Sequence, residues 1–280
     1  MPFSGVDLSK LPPPEVVQGI DYESLLTQWK DYLINADPAL ADVLALESDP
    51  LSIDGEATAY QALLVYQRIN EAARSVMLNS AAGADLDNLA ALVSTERLVD
   101  ESDERLRLRA QMALEGITTA GSHGSYLYHA LSSDPNVLDV DTYSPGHGAV
   151  VVTVLSAVGD GIPDEALLAT VSAALNAESV RPLTETVIVQ GAALVDYTIK
   201  ANLYVDPGPD PELIRSAAIE AVNVYVSDSF LLGRPITRGG IFAALHQPEV
   251  RRAVLAEPAA DLLLARYQVG RCQSIEVNLA

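Results

Sequence analysis

Through the first half of the chain, apolar residues recur at steps of three and four, the period of one helix face. Tyr22, Leu25, Leu26, Trp29 and Leu33 follow Asp21, a candidate N-cap, and predict a first helix. A second helix is predicted after a turn at Asp54 and Gly55, with Ala62, Val65, Tyr66, Ile69, Ala72, Ala73 and Val76 in phase and Leu63 and Leu64 widening the apolar face. A face that wide asks for cover on more than one side. Gly83 breaks the pattern, and Asp85 is a candidate cap for a short helix carrying Leu86, Leu89, Ala90 and Val93. The next helix, from about Asp100 to Glu115, is charged. Glu101 with Arg105, and Asp103 with Arg107, stand at i, i+4 with the acid first, the favourable order. A turn at Thr118 to Gly121 leads to Ser122 as cap of a helix with Tyr126, Leu127, Ala130 and Leu131, and helical patterning ends near Asp134 and Pro135.

Beyond that point the period falls to two. Val137 to Tyr143 and Ala149 to Leu155 read as strands of a hairpin joined at Ser144-Pro145-Gly146-His147-Gly148. Pro163-Asp164-Glu165 opens a helix to about Ala177, and Glu185 to Val189 returns as a strand. Val195 to Val205 alternates as a half-buried strand, and Pro209-Asp210-Pro211-Glu212 opens a helix through Val226. The shared order of strand, then Pro, Asp and Glu at a helix start, raises a duplicated unit as one option. A short helix near Gly239 to His246 and strands near Val250 to Leu255 and Ser274 to Leu279 complete the chain. The fold class is therefore α+β, a mostly helical N-terminal region followed by two small α+β modules. The expected divisions are an N-terminal arm at 1–20, stiffened by Pro12 to Pro14 and of a kind that often lies on a neighbouring surface, then a helical domain at 21–133 and modules at 134–192 and 193–280.

Composition narrows the function classes. Apolar residues at 49% and charged residues at 20% exclude a mainly disordered chain, while 5% aromatics favour a core of Ala, Leu, Val and Ile over a deep aromatic pocket. Seventeen Lys and Arg against 38 Asp and Glu give a net charge of -21, which argues against nucleic acid or an anionic membrane as partner. Met1 to Lys10 has neither a basic nor an apolar leader segment, and no run approaches the roughly 18 apolar residues of a spanning helix, so a cytosolic site or a non-secretory exit is expected. The single Cys272 excludes an intrachain disulfide and points to a reducing compartment.

The search for chemistry finds no convergent site. Asp139 with Asp141, and Asp85 with Asp87, are adjacent carboxylates of a kind that a chain this acidic offers anywhere, and they read as solvated or interface groups. His123, His129, His147 and His246 lack metal-ligand spacing, so no metal or other cofactor is expected. Gly159-Asp160-Gly161 and Gly121-Ser122-His123-Gly124 are turns with neither a phosphate-loop Lys nor a nucleophile elbow. Cys272 has no nucleophile signature, and Arg251-Arg252 reads as a salt-bridged surface pair.

One series of segments is specific. Gly83-Ala84-Asp85-Leu86-Asp87-Asn88-Leu89-Ala90, Arg97, Glu104 to Arg109, then Thr119-Ala120-Gly121-Ser122 and Tyr126 resembles, in order and spacing, the core of the phage baseplate protein J family. Val137 to Val140, Arg181-Pro182-Leu183-Thr184 and Leu232-Gly233-Arg234-Pro235-Ile236 extend the resemblance over about 55–280. One departure is local: the family commonly has a glycine shortly before the arginine, where this chain has Ser94-Thr95-Glu96. The resemblance implies a structural, non-enzymatic wedge subunit of a contractile-tail baseplate, of a phage or a phage-derived bacteriocin (tailocin). It implies two copies in each wedge and twelve in a six-fold ring around the central spike hub. It further implies contacts with a second wedge protein and the sheath initiator, rearrangement when contraction is triggered, and assembly in the bacterial host cytoplasm. Gly83, Asp85, Asp87, Arg97, Gly121, Ser122, Tyr126, Arg181, Pro182 and Gly233 are then motif or turn residues. Trp29, Tyr60, Leu63, Val65, Ile69, Arg105, Arg107 and Arg109 are the candidate interface, the arginines having intrachain ion pairs as the alternative. Two other classes remain: an acidic hydrolase built from distant carboxylates, and a generic adaptor in another complex.

Overall fold

Local capping sets the helix starts. In the computed structural model, which describes residues 6–12, 14, 16, 19–118, 121–206, 208 and 210–280, Asp21 accepts the Ser24 N–H at 2.9 Å and opens α1, Tyr22–Ala36. A single turn, α2 at Ala41–Leu44, follows, and Asp49 with Pro50 at the first position opens α3, Pro50–Ser75. The turn expected at Asp54 and Gly55 is absent, because α3 runs straight through it. Ser52, Gly55 and Ala59 are buried along one side, and a Cβ on Gly55 would fall 2.3 Å from Trp29 Cζ3. Gly55 is there to let the indole of α1 reach the α3 backbone.

α4, Gly83–Ala91, packs Leu86 and Ala90 against Leu106 and Ala110 of α5, Asp103–Gly116, with Ala81 in the same small core. The C-terminus of α4 answers the Ser94 departure directly. The Thr95 N–H reaches Ala90 O at 3.0 Å and the Ser94 N–H reaches Ala91 O at 3.0 Å, a Schellman closure whose left-handed position is Ser94, at φ 55°. The serine adopts the glycine conformation, so the turn survives the substitution.

Ser122 caps α6, His123–Ser133, as expected, and β1, Val137–Gly146, forms an antiparallel hairpin with β2, Ala149–Ser156. The two loop residues, His147 and Gly148, both have positive φ, as a hairpin turn of this length requires. Asp164 caps α7, Glu165–Leu175, which returns the chain to β3, Thr186–Gly191, parallel to β2. The sheet order is β1-β2-β3. Tyr126, Leu127, Ala130 and Leu131 of α6 and Leu167, Val171 and Leu175 of α7 cover its apolar face.

The second sheet has β4, Ala193–Val205, at its centre. α8, Pro211–Ser229, and α9, Arg238–Leu245, lead to β5, Val250–Glu257, antiparallel to β4. β6, Gln268–Leu279, runs parallel to β4 on its other edge and begins earlier than the alternation predicts. Ile199, Leu203, Ala218, Val222, Ile241, Leu245 and Leu255 fill this core. The duplicated-unit reading is met halfway. Both central strands have one parallel and one antiparallel neighbour and are followed by an Asp-capped helix, but the antiparallel partner precedes β2 and follows β4.

The chain forms two compact units. One extends to Arg97 and includes Ser102–Gln111; the other is Leu98–Glu101 with Met112–Ala280. The packing boundary thus falls within α5, not at the change of period near 133, because α6 shares the core of the first sheet. Of the N-terminal arm, Val6 O accepts the Gln111 side-chain amide at 2.6 Å, so this part of the arm lies on the chain's own α5. Pro13, Thr119, Ala120 and Pro209 lie outside the described residues. Among the described residues, no helix is long and apolar enough to cross a membrane.

Candidate assembly surface

The motif residues converge on three joints. In the first, the Gly83 N–H donates to Asp103 Oδ2 at 3.0 Å, so the cap of α4 comes from α5 and not from Asp85, which sits exposed in the first turn. Arg97 bonds Asp87 and Asp103, each at 2.7 Å, and reaches Gly83 O at 3.4 Å. The Gly83 N–H and the Arg97 guanidinium together hold the Asp103 carboxyl below the ordinary carboxylate range.

The arginine row of α5 turns inward. Arg107 donates to Leu78 O and Ala81 O, both at 2.7 Å, and the Arg109 side chain is buried and donates to Glu96 O. These two guanidinium groups close backbone carbonyls of their own unit, and the Arg107 charge also acts on Asp103. Arg105 is half-buried, and its N–H caps onto Ser102 Oγ.

In the second joint, Tyr126, buried on α6, donates its hydroxyl to Glu185, and burial followed by that bond pushes the phenol well up. The Glu185 carboxylate lies where a Cβ on Gly121 would be, which is why the left-handed Gly121, at φ 70°, has no side chain. Arg181 is exposed close to Tyr126, Pro182 O accepts the Glu185 N–H, and both belong to the turn before β3. Glu185 is the residue that the motif reading missed; its one signal is its place directly after Arg181 to Thr184.

The third joint involves Gly233, whose N–H bonds Gln268 O at 2.8 Å while the Leu232 N–H bonds Asp139 Oδ2 at 2.9 Å. Asp139 is largely desolvated, which raises its pKa, and Asp141 pairs with Arg266 at 2.9 Å. Of the solvated-or-interface reading of these two carboxylates, the solvated option is corrected: both bond to the second module of their own chain. Arg252 lies over the Tyr204 ring in place of a salt bridge, and Cys272 is a half-buried thiol raised by burial. The described residues contain no group of His, Cys, Asp and Glu able to hold a metal.

What stays open is α3. Its N-terminal half is covered by α1, where Trp29 is spent on Gly55 and Leu63 is half-buried beyond it. Tyr60 (55% exposed) in the first half, and Leu64, Val65 (59%), Tyr66 and Ile69 (43%) in the second, are exposed. At about 100° per residue, Ala72, Val65, Val76, Ile69, Ala62, Ala73, Tyr66 and Leu63 cover roughly half the circumference of that helix. Of these, Ala72, Val65, Val76, Ile69 and Tyr66 are exposed and span about a third of the circumference, whereas Ala62, Leu63 and Ala73 are half-buried.

Small sheets pinned by polar joints, and a long helix with an exposed apolar stripe, suit a structural protein that packs against partners. The sequence comparisons say which kind. Residues 47–103 match the Baseplate J-like N-terminal domain, and residues 118–191 match the Baseplate J-like central domain. The chain is 44% identical over 292 aligned positions to Baseplate protein J of Escherichia phage P2, covering 97% of each sequence. The chain belongs to the baseplate J family, and it is a structural baseplate protein of a phage-type tail, not an enzyme.

Proposed function

We propose that this chain is a wedge subunit of a contractile-tail baseplate, present as two copies in each wedge of a six-fold ring. In this role it contacts a second wedge protein and the sheath initiator, lies near the central hub, and rearranges when contraction is triggered. The observation that carries the reading is the uncovered arc on α3. Val65, Tyr66 and Ile69 present an apolar stripe that the chain's own helices leave exposed, a surface that a second copy or another wedge protein fits. Val65 (59% exposed) and Ile69 (43%) are each already about half-buried, so burying the remainder contributes about 1 kcal/mol apiece to assembly.

Native mass spectrometry of the chain co-expressed with the products of its neighbouring reading frames tests this. The expected species holds two copies with one or two smaller proteins. Val65→Asp with Ile69→Asp is expected to abolish that species while leaving the circular dichroism of the monomer unchanged, because both side chains are already exposed. A wild-type chain that stays a lone monomer at every concentration overturns the wedge reading; a complex indifferent to the double variant overturns the placement on α3.

A further inference from the structure

The chain passes from the first sheet to the second through one residue. The Ala192 N–H still bonds Val154 O of β2, whereas the Ala193 N–H already bonds Tyr267 O beside β6. Among the described residues, the apolar cluster spanning the two modules has three buried members, Leu155, Ala192 and Val269, with Leu194, Phe230 and Leu232 partly buried. The clusters inside the modules have 13 and 11 buried members. Burial therefore holds each module together far more strongly than it holds them to one another.

Polar contacts ring that small patch. Arg271 of β6 forks between Asp196 of its own sheet, at 2.7 Å, and Asp160 in the loop after β2, at 3.1 Å. Arg266 reaches Asp141 of β1 at 2.9 Å and lies over the Tyr143 ring. Asp139 receives the Leu232 N–H, and Phe230 packs where a Cβ on Gly161 would be. The two arginines lie five positions apart on the segment that enters β6, so one short stretch of the second module fastens both cross-module ion pairs.

We propose that the seam between the two sheets is a hinge about Ala192, held shut by Arg266 and Arg271 and able to open while both modules stay folded. Opening breaks the Asp141 and Asp160 pairs, the Asp139 to Leu232 bond and the packing of Leu155, Ala192 and Val269, and it leaves the Arg271 to Asp196 pair intact. Bistable packing across a small, polar-rimmed interface is the usual structural basis of such a joint, and a few element-terminal residues absorb the backbone change. The hinge lies within one chain, so it holds whatever the chain assembles with.

Hydrogen exchange of the full chain tests it, comparing wild type with Asp141→Asn/Asp160→Asn, which cuts both cross-module ion pairs without touching either core. The amides of Ala192 and Leu232 are expected to exchange about tenfold faster, with the amides inside β2 and β4 unchanged. Asp196→Asn, which cuts only the pair inside the second module, is expected to affect Leu232 less. Unchanged seam amides in the double variant overturn the proposal, because the ion pairs then do not hold the joint. Equal acceleration of the seam, β2 and β4 overturns it as well, because the two modules then open as one.

Discussion

Ser94 provides a sharp test of the local argument. It occupies the left-handed position of the Schellman closure after α4 at φ 55°, and it is exposed. A residue with a Cβ loses roughly 1 to 2 kcal/mol in that conformation. Glycine removes the penalty but gives back about 0.5 to 1 kcal/mol in the unfolded chain. Ser94→Gly is therefore expected to stabilise the N-terminal unit by about 0.5 to 1 kcal/mol, since an exposed hydroxymethyl group adds little packing that its removal could undo. The chain has a single tryptophan, Trp29, and it lies in the same compact unit as Ser94, so its fluorescence in urea reports the unfolding of the unit that the substitution changes. With a slope of about 2 kcal/mol/M, the midpoint rises by about 0.3 to 0.5 M. Ser94→Ala retains the Cβ and is expected to leave the midpoint unchanged. An unchanged or lower midpoint for Ser94→Gly, or an equal gain for Ser94→Ala, refutes the backbone explanation.

Two further expectations use the same fluorescence signal. Gly55→Ala places a methyl 2.3 Å from the Trp29 ring and forces α1 and α3 apart, so it should destabilise by about 1 to 3 kcal/mol with a shifted emission maximum. Asp103→Asn addresses pH. The Asp103 carboxyl is held low by the Gly83 N–H and Arg97, so its charged form favours the fold; that contribution is present above the unfolded carboxylate value near 3.9 and is lost as pH falls through the lower folded value. The gap between wild type and variant in urea midpoint is expected to be largest near pH 7 and to close on acidification. A gap that widens toward acid contradicts the sign.

What neighbours along the chain determine is legible in the sequence. Asp21, Ser122, Asp164 and Asp210 cap helices because each bonds an amide two or three residues on, and the period changes where β1 begins. Gly55 reads as a turn because its reason, the indole of Trp29, is on another helix. The inward turn of Arg107 needs the carbonyls of Leu78 and Ala81, 29 and 26 positions away, and Glu185 needs Tyr126, 59 positions away. Asp139 and Asp141 look like ordinary acids of an acidic chain until the second module supplies Leu232 and Arg266.

The same contrast separates identity from assembly. Gly83, Asp87, Arg97, Gly121, Tyr126 and Gly233, the residues by which the chain resembles its family, have their bonds or backbone conformations fixed inside the chain. The exposed arc of α3 contains none of them: Val65, Ile69 and Tyr66 occupy no special backbone angle and present apolar surface to solvent. An apolar face can exchange Val for Ile or Leu and still bury a similar area against a partner, whereas a glycine with positive φ or a forked arginine has no such substitute. Short motifs therefore report the internal joints of each unit, whereas the apolar residues of α3 form no motif, and their exposure becomes visible only in the packing.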